Sequence, residues 1–232
     1  MGHLMKRPDL LLVHGGWHGA WAFDTLVPLL ASQGFTVRTV DLPSSGSLVD
    51  LDADVKVVRG SLAEHATPTL VVGHSYGGVV ISEACAGVRN VVGLAYLCAF
   101  VLDKGESLSM FLEPLPPWVE SNEAAGVCRV LTPERAFYAD VEPAIAAKAV
   151  ARLRFQSLAC LGGVLTAAAW RELPSSYLLC EEDQALPVPA QEAMGARTNI
   201  VERLASGHSP FMSRPAEVAA FLARAADRAV PA

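Results

Sequence analysis

The sequence predicts one α/β domain with a mostly parallel central sheet flanked by helices. Short apolar runs alternate with segments of helical length along most of the chain. Strands and helices that alternate in this way form parallel sheets covered on both faces. The length of 232 residues suits a single domain, and a hydrophobic content of 52% supplies a sizeable core.

The predicted elements follow one another in strand–helix order. The first strand is apolar on both faces, as parallel sheets require. The strands are expected over residues 9–13, 35–40, 70–72, 91–97, 176–180 and 200–204. The helices are expected over residues 20–33, 51–65, 79–86, 189–197 and 215–229.

The alternation is interrupted between residues 103 and 171, which contain prolines and aromatic residues but no good strand. An interval of this length is seldom a bare loop. We expect a helical cap here, inserted after the strand that ends near Leu97 and lying over the strand ends where open α/β sheets bind ligands. The core then spans about residues 6–102 and 172–232. Most apolar cap residues should pack the cap onto the core, and Trp118, Phe137 and Leu161 are our candidates for lining a pocket.

A nucleophile is predicted at the third strand. Residues 73–77 read GHSYG between a β-branched strand and an apolar helical segment. Gly-x-Ser-x-Gly in this context is a nucleophile elbow, a sharp turn that exposes the serine hydroxyl at the sheet edge. A Cβ at Gly73 or Gly77 would crowd the neighbouring strand or helix. The alternative is a glycine-rich turn with a helix-capping serine, but the flanking strand and helix favour Ser75 as a nucleophile.

A serine nucleophile needs a histidine base oriented by a carboxylate. In elbow folds these partners follow the serine in the order acid, then histidine. His208 is the only histidine after Ser75 and comes directly after a predicted strand. Asp183 is our choice of acid, because its two glutamate neighbours suit solvated positions at the strand end. Asp103 is the second choice, one strand earlier.

The negatively charged oxygen that forms on the substrate needs hydrogen-bond donors already in place. We expect the backbone N–H of Tyr76, directly after the nucleophile, and that of Gly16, in the glycine-rich loop after the first strand. His14 and His18 precede the nucleophile, so we interpret them as hydrogen-bonding braces of this loop. His74 is expected to pack against the elbow.

Composition excludes several other classes of function. A net charge of −6 without long charged runs argues against a nucleic-acid surface. We see no signal peptide and no apolar run of membrane-spanning length, and we expect a cytoplasmic protein. The five cysteines form no CxxC pair and are interpreted as core residues in a reducing compartment. No metal site or cofactor is expected, and the oligomeric state stays open, with a homodimer as one alternative.

Several motifs together resemble one family. Residues 14–21 read HGGWHGAW, residues 41–46 read DLPSSG, residues 73–78 read GHSYGG and residues 207–209 read GHS. They are similar to the α/β-hydrolase branch that holds plant methyl esterases, hydroxynitrile lyases and bacterial esterase relatives. The resemblance spans most of the chain, with the cap as the loosest part. It implies an α/β-hydrolase fold, an acid loop at residues 182–187 that includes Asp183, and an oxyanion donor at Gly16.

The resemblance also separates two chemistries. Lyase members carry a lysine after the catalytic histidine and a threonine in the oxyanion loop, where this chain has Ser209 and Gly15. This difference favours hydrolysis of small-to-medium apolar or aryl carboxylic esters. The alternatives are hydrolysis of lactones or thioesters, hydroxynitrile-type C–C cleavage, and a ligand sensor that keeps the triad with negligible turnover.

Overall fold

The central sheet of this computed structural model has six parallel strands. The structure describes residues 7–229, so residue 6 of the predicted core and residues 230–232 lie outside it. The strands of the central sheet, in their order across it, are β2 (Val37–Val40), β1 (Asp9–Val13), β3 (Thr69–His74), β4 (Val91–Leu97), β8 (Ser175–Cys180) and β9 (Ile200–Leu204). The predicted α/β fold with a parallel sheet is confirmed.

Helices cover both faces of this sheet. The α-helices within the described residues are α1 (Leu26–Ser32), α2 (Leu51–Ala63), α3 (Gly77–Ala84), α4 (Pro133–Phe137), α5 (Pro143–Val150), α6 (Val188–Gly195), α7 (Pro210–Ser213) and α8 (Pro215–Ala229), of which α4 and α5 belong to the cap. The helix predicted over residues 20–33 divides into a 3-10 turn (Ala20–Phe23) and α1. None of the helices within residues 7–229 is both long and apolar enough to cross a membrane.

Alternate residues of the strands feed two hydrophobic clusters on opposite faces of the sheet. In β1, Leu11 and Val13 join the cluster that includes α2 and α3, whereas Leu10 and Leu12 join the cluster that includes α1 and α8. This division follows from the period of two residues in a strand. Burial on both faces therefore explains why β1 is apolar throughout.

The prediction that the cap is helical and holds no strand is wrong in part. Besides α4 and α5, it contains an antiparallel sheet of β5 (Val119–Asn122), β6 (Val127–Val130) and β7 (Gln156–Ser157). The hairpin between β5 and β6 closes at Gly126, whose φ of 66° suits glycine. These strands are four residues or fewer, and β5 and β6 carry exposed charged side chains, so the patterns are too short to separate from a loop.

The sheet brings the functional segments together at its C-terminal edge. The loop of residues 14–19 follows β1, the elbow follows β3, the acid loop follows β8 and the histidine loop follows β9. Because the strands are parallel, these loops all lie at one edge of the sheet. This edge is where open α/β sheets place ligands.

Candidate active site

Ser75 occupies the sharp turn between β3 and α3. Its φ is 51°, a conformation that costs a non-glycine residue free energy and is typical of functional turns. The turn is held by hydrogen bonds from Ser75 N–H to the Leu97 carbonyl (3.2 Å) and from Phe100 N–H to the Ser75 carbonyl (3.2 Å). A Cβ on Gly73 would lie 2.8 Å from the Gly77 carbonyl oxygen and a Cβ on Gly77 would lie 2.5 Å from the Val13 carbonyl oxygen, so both glycines permit this close packing.

His208 and Asp183 form a buried pair beside the elbow. The His208 Nδ1 atom lies 2.7 Å from Asp183 Oδ2, and both side chains are almost completely buried. A carboxylate only accepts, so Nδ1 donates and Nε2 is left free to accept a proton. Among residues 7–229, no hydrogen bond joins Ser75 Oγ to His208, although both side chains line the same cavity. Such contacts often tighten only when substrate binds.

Asp183 is held in place by donors on both of its oxygens. The backbone N–H groups of Ala185 and Leu186 donate to Oδ1 at 2.7 and 2.8 Å. The buried side chain of Gln191, on α6, donates to Oδ2 at 3.3 Å and to the Leu186 carbonyl at 2.7 Å. Sequence reasoning missed this contact of Gln191 with Asp183, because a single glutamine in a helix carries no distinctive signal.

Asp103, the second choice of acid, lies in a different environment. Its carboxylate pairs with the Arg171 guanidinium, including a bond of 2.8 Å from Arg171 Nε to Oδ1. Hydrogen bonding to Arg171 lowers the pKa of Asp103 to about 2. The structure thus brings Asp183, and not Asp103, to His208.

The glycine-rich loop after β1 presents Gly16 to the cavity. The Gly15 carbonyl accepts from His14 Nδ1 at 2.8 Å, and the N–H of the same peptide, which belongs to Gly16, points the opposite way. The Gly16 carbonyl accepts from His18 Nδ1 at 2.7 Å. Burial lowers the pKa of His14 to about 4 and that of His18 to about 3, so both rings are neutral at pH 7.

A buried polar network supports the residue after the nucleophile. The Tyr76 hydroxyl donates to Asp54 Oδ2 at 2.6 Å, and Ser44 donates to the same carboxyl through its N–H and its hydroxyl. Burial raises the pKa of Asp54 even though these donors favour its charged form. The network fixes the start of α3, where the N–H of Tyr76 lies at the helix N-terminus.

The side-chain atoms of His74, Cys98 and His208 that could bind a metal ion lie within 4.8 Å of one another. His74 Nε2 and Cys98 Sγ both contact the His208 carbonyl, at 2.9 and 3.4 Å. Burial lowers the pKa of His74 well below its usual value and raises that of Cys98. A neutral imidazole and a protonated thiol therefore donate to this carbonyl and hold the histidine loop, which fits the expected packing role of His74.

A cavity opens onto Ser75 and His208. Gly16 and Tyr76 lie on its wall, and so do Trp118, Phe137 and Leu161, the three predicted lining residues. The Phe137 ring stacks on His208 with a centroid distance of 5.4 Å. Within the described chain, the lining includes no Asp, Glu, Lys or Arg. The cavity therefore favours neutral, apolar groups.

A second cavity adjoins the first between the cap and the acid loop. It shares Pro116, Trp118 and Ala185 with the first cavity. Its remaining lining includes Arg135 and Gln184, both exposed. Trp118 therefore separates an apolar inner space from a more polar outer one.

A serine at a strained strand–helix turn, with a buried His–Asp pair on later loops of a parallel sheet, defines the class of α/β proteins with a serine nucleophile. The model of the alpha/beta hydrolase family matches residues 10–221. The chain belongs to the alpha/beta hydrolase family.

Individual relatives cover nearly the whole chain. The alpha/beta hydrolase nvfD of Aspergillus novofumigatus is 32% identical over an alignment 248 positions long, gaps included. The alignment covers 97% of this chain and 99% of that protein. Methylesterase 1 of Arabidopsis thaliana is 23% identical over an alignment 267 positions long, which covers 99% of this chain and 100% of that protein. The crystal structure of a pyrethroid hydrolase from Sphingobium faniae JZ-2 shares the fold, with a TM-score of 0.82 at 24% identity, covering 95% of this chain and 97% of that one. The predicted resemblance to the branch of plant methyl esterases is confirmed.

Proposed function

We propose that this protein hydrolyses carboxylic esters with Ser75 as nucleophile, His208 as general base and Asp183 as the partner of His208. The observation that carries the proposal is the buried bond of 2.7 Å between His208 Nδ1 and Asp183 Oδ2 on a cavity that also exposes Ser75. Relatives named as esterases and hydrolases support the same class of reaction. The enzyme is a serine hydrolase of the carboxylesterase type.

The reaction follows from the positions of these groups. His208 Nε2 takes the hydroxyl proton as Ser75 attacks the ester carbonyl, and Asp183 stabilises the imidazolium that forms. The N–H groups of Gly16 and Tyr76 bind the negatively charged oxygen of the tetrahedral intermediate. His208 then protonates the leaving alcohol, and the acyl-enzyme on Ser75 is hydrolysed by water activated by the same base.

The cavity supports a neutral substrate with a small-to-medium apolar or aryl group. Aromatic and aliphatic side chains form nearly all of its wall, and a charged group would lose its hydration there without a counter-ion. We assign Trp118, Phe137 and Leu161 to substrate contact. Two relatives named as a carbendazim hydrolyzing esterase and a pyrethroid hydrolase are in keeping with such esters.

Hydrolysis is favoured over the lyase alternative by the space around Gly15. A Cβ at this position would lie 2.8 Å from His74 Nδ1 and 2.9 Å from Ser75 Cβ, so this arrangement has no room for a threonine. Ser209, which follows His208, is buried and supplies no positive charge. Both features fit an open oxyanion site without a cation for a leaving cyanide.

We also propose that residues 1–232 form one domain with a core of about 6–102 and 172–232 and a cap of about 103–171. A cytoplasmic location is supported by five free and buried cysteines, which suit a reducing compartment. The proposed partner is a small-molecule ester.

Hydrolysis of p-nitrophenyl esters from acetate to octanoate, with one aryl ester, tests the proposed activity. We expect turnover with a burst of p-nitrophenol equal to the enzyme concentration if deacylation is slow, and near-background rates for Ser75→Ala. Ser209→Ala is the matched control, because it removes a buried hydroxyl that has no hydrogen-bond partner among residues 7–229. Equal activity of Ser75→Ala and the parent enzyme would refute the nucleophile.

The same experiment separates the other functions. Poor turnover of simple esters, with Ser75 still labelled by a serine-directed phosphonate, would favour a lactonase, a thioesterase or C–C cleavage. Tight ligand binding with a large thermal shift and negligible turnover would favour a sensor.

A further inference from the structure

Tyr138, in the cap, is linked to the oxyanion loop through a buried histidine. Its hydroxyl lies 2.8 Å from His18 Nε2, and His18 Nδ1 lies 2.7 Å from the Gly16 carbonyl oxygen. A carbonyl oxygen only accepts, so Nδ1 of the neutral ring carries the proton. Nε2 is then an acceptor, and the Tyr138 hydroxyl must donate to it. The Gly16 carbonyl thus fixes the tautomer of His18, and the Tyr138 hydroxyl holds the other ring nitrogen from the cap.

The peptide between Gly16 and Trp17 is held from both sides. Its carbonyl accepts from His18, and its N–H, that of Trp17, donates to the Gln156 side chain at 2.9 Å. Trp17 has a φ of 64°, which is unfavourable for a residue with a Cβ. Two consecutive glycines precede it and have the least restricted backbone of any residue. The peptide that carries the Gly16 N–H is held by His14, and the bonds from His18 and Gln156 hold the peptide that follows it.

The same cap segment also contacts the base. Phe137 stacks on the His208 ring, and Asp140 Oδ2 accepts from Gly207 N–H at 2.8 Å. Three of four consecutive cap residues thus touch either the oxyanion loop or the histidine loop. This arrangement makes the cap part of the support of the reacting groups and more than a cover over the cavity.

We propose that Tyr138 and His18 are positioning residues for the oxyanion donor at Gly16, with the Tyr138 hydroxyl holding the His18 ring from the cap and His18 holding the peptide that follows the donor. This inference rests on the proposed ester hydrolysis. Gln156 holds the other end of that peptide. The cap contact thus supports the peptide on one side of the donor, while His14 holds the peptide that carries it.

Three substitutions test this relay, which runs from Tyr138 through His18 to the Gly16 carbonyl. Tyr138→Phe removes only the hydroxyl and leaves His18 Nε2 without its donor. His18→Leu removes the bond to the Gly16 carbonyl, whereas His18→Asn keeps a donor near the position of Nδ1. Loss of a whole oxyanion donor costs about 10²–10³ in kcat, so we expect about 10-fold for Tyr138→Phe and up to about 100-fold for His18→Leu. His18→Asn should recover most of the loss.

A matched pair of an oxoester and its thionoester gives a readout specific to the oxyanion donor. Sulfur accepts hydrogen bonds weakly, so a well-placed donor favours the oxoester in the transition state. We expect the ratio of kcat/KM, oxoester over thionoester, to fall about 10-fold in His18→Leu and less in Tyr138→Phe, with KM nearly unchanged. Tyr96→Phe is the control, because the Tyr96 hydroxyl is also buried but contacts Ser82 away from the cavity.

Equal losses for both esters in Tyr138→Phe and His18→Leu, with an unchanged ratio, would overturn the proposal and leave a purely structural role. Full activity of both variants would also overturn it. Thermal melting of each variant shows whether it is folded, and Tyr138→Phe changes a single oxygen atom. Failure of the proposed function is distinct, because Ser75→Ala would then keep its activity whatever the relay variants do.

Discussion

Asparagine at position 183 should leave the active site folded but give His208 the wrong tautomer. Asp183 Oδ1 accepts two backbone N–H groups at 2.7 and 2.8 Å, and Oδ2 accepts from His208 and Gln191. The single oxygen of an asparagine best replaces Oδ1, where the two backbone donors converge. Its NH₂ group then faces two further donors, so His208 must accept at Nδ1 and hold its proton on Nε2. Nε2 is the atom that has to accept the proton of Ser75.

The expected loss is about 10⁴ in kcat, the size found for this change in the Ser-His-Asp triad of serine proteases. It corresponds to about 5.5 kcal/mol of transition-state stabilisation. KM should change little, because Asp183 lies behind His208 and does not line the cavity. Burst and steady-state kinetics with the best p-nitrophenyl ester measure both constants, and a thermal melt checks that the variant is folded.

Asp103→Asn is the matched control for this prediction. Asp103 pairs with Arg171, which is largely exposed, and surface ion pairs contribute about 0–1 kcal/mol to stability. We expect its activity to stay within about twofold of the parent enzyme. Retention of a tenth or more of the activity in Asp183→Asn, or a large loss in Asp103→Asn, would refute the assignment of the acid.

Three further predictions follow from packing and burial. Gly77→Ala should destabilise the folded protein by about 1–3 kcal/mol, because its Cβ would lie 2.5 Å from a carbonyl oxygen of β1. Gly60→Ala should stabilise the folded protein by about 0.5–1 kcal/mol, because its Cβ would have nothing within 4 Å. Urea unfolding of both variants checks the opposite signs. Trp118→Ala should join the two cavities and shift the preferred p-nitrophenyl ester to a longer chain, and an unchanged optimum would argue against contact with substrate. The pKa values of His14 and His18, about 4 and about 3 in the folded chain against 6.5 for the free residue, mean that the unfolded chain binds more protons below pH 6.5. Stability should therefore fall by up to about 1.4 kcal/mol per pH unit for each histidine as the pH drops toward 4, and urea midpoints that are constant between pH 7 and 5 would contradict this.

Local sequence determined the elements and the elbow. Strands β1, β4 and β9 and helix α8 begin and end at the predicted residues. In β1 and β4 the reason is a continuous apolar run that is buried in the sheet. The elbow is recognisable because the turn itself needs glycines next to Ser75, and this requirement is written in adjacent positions. His208 is predictable by order along the chain, as the only histidine after Ser75.

Tertiary structure decided between Asp183 and Asp103. Both acids follow a strand of the sheet, so local sequence could rank them but not exclude either. Strand β8 pairs with β9, which places the loop of Asp183 beside that of His208, whereas Asp103 lies one strand further away and is neutralised by Arg171.

The contacts of the cap were also beyond the sequence. Gln156 and Tyr138 reach the oxyanion loop from positions more than 100 residues away, and β5, β6 and β7 are too short to carry a readable pattern. A sequence records spacing within an element, but long-range hydrogen bonds depend on how separate elements pack. The sequence by itself thus predicted which residues react, and only the packed structure showed what holds them in place.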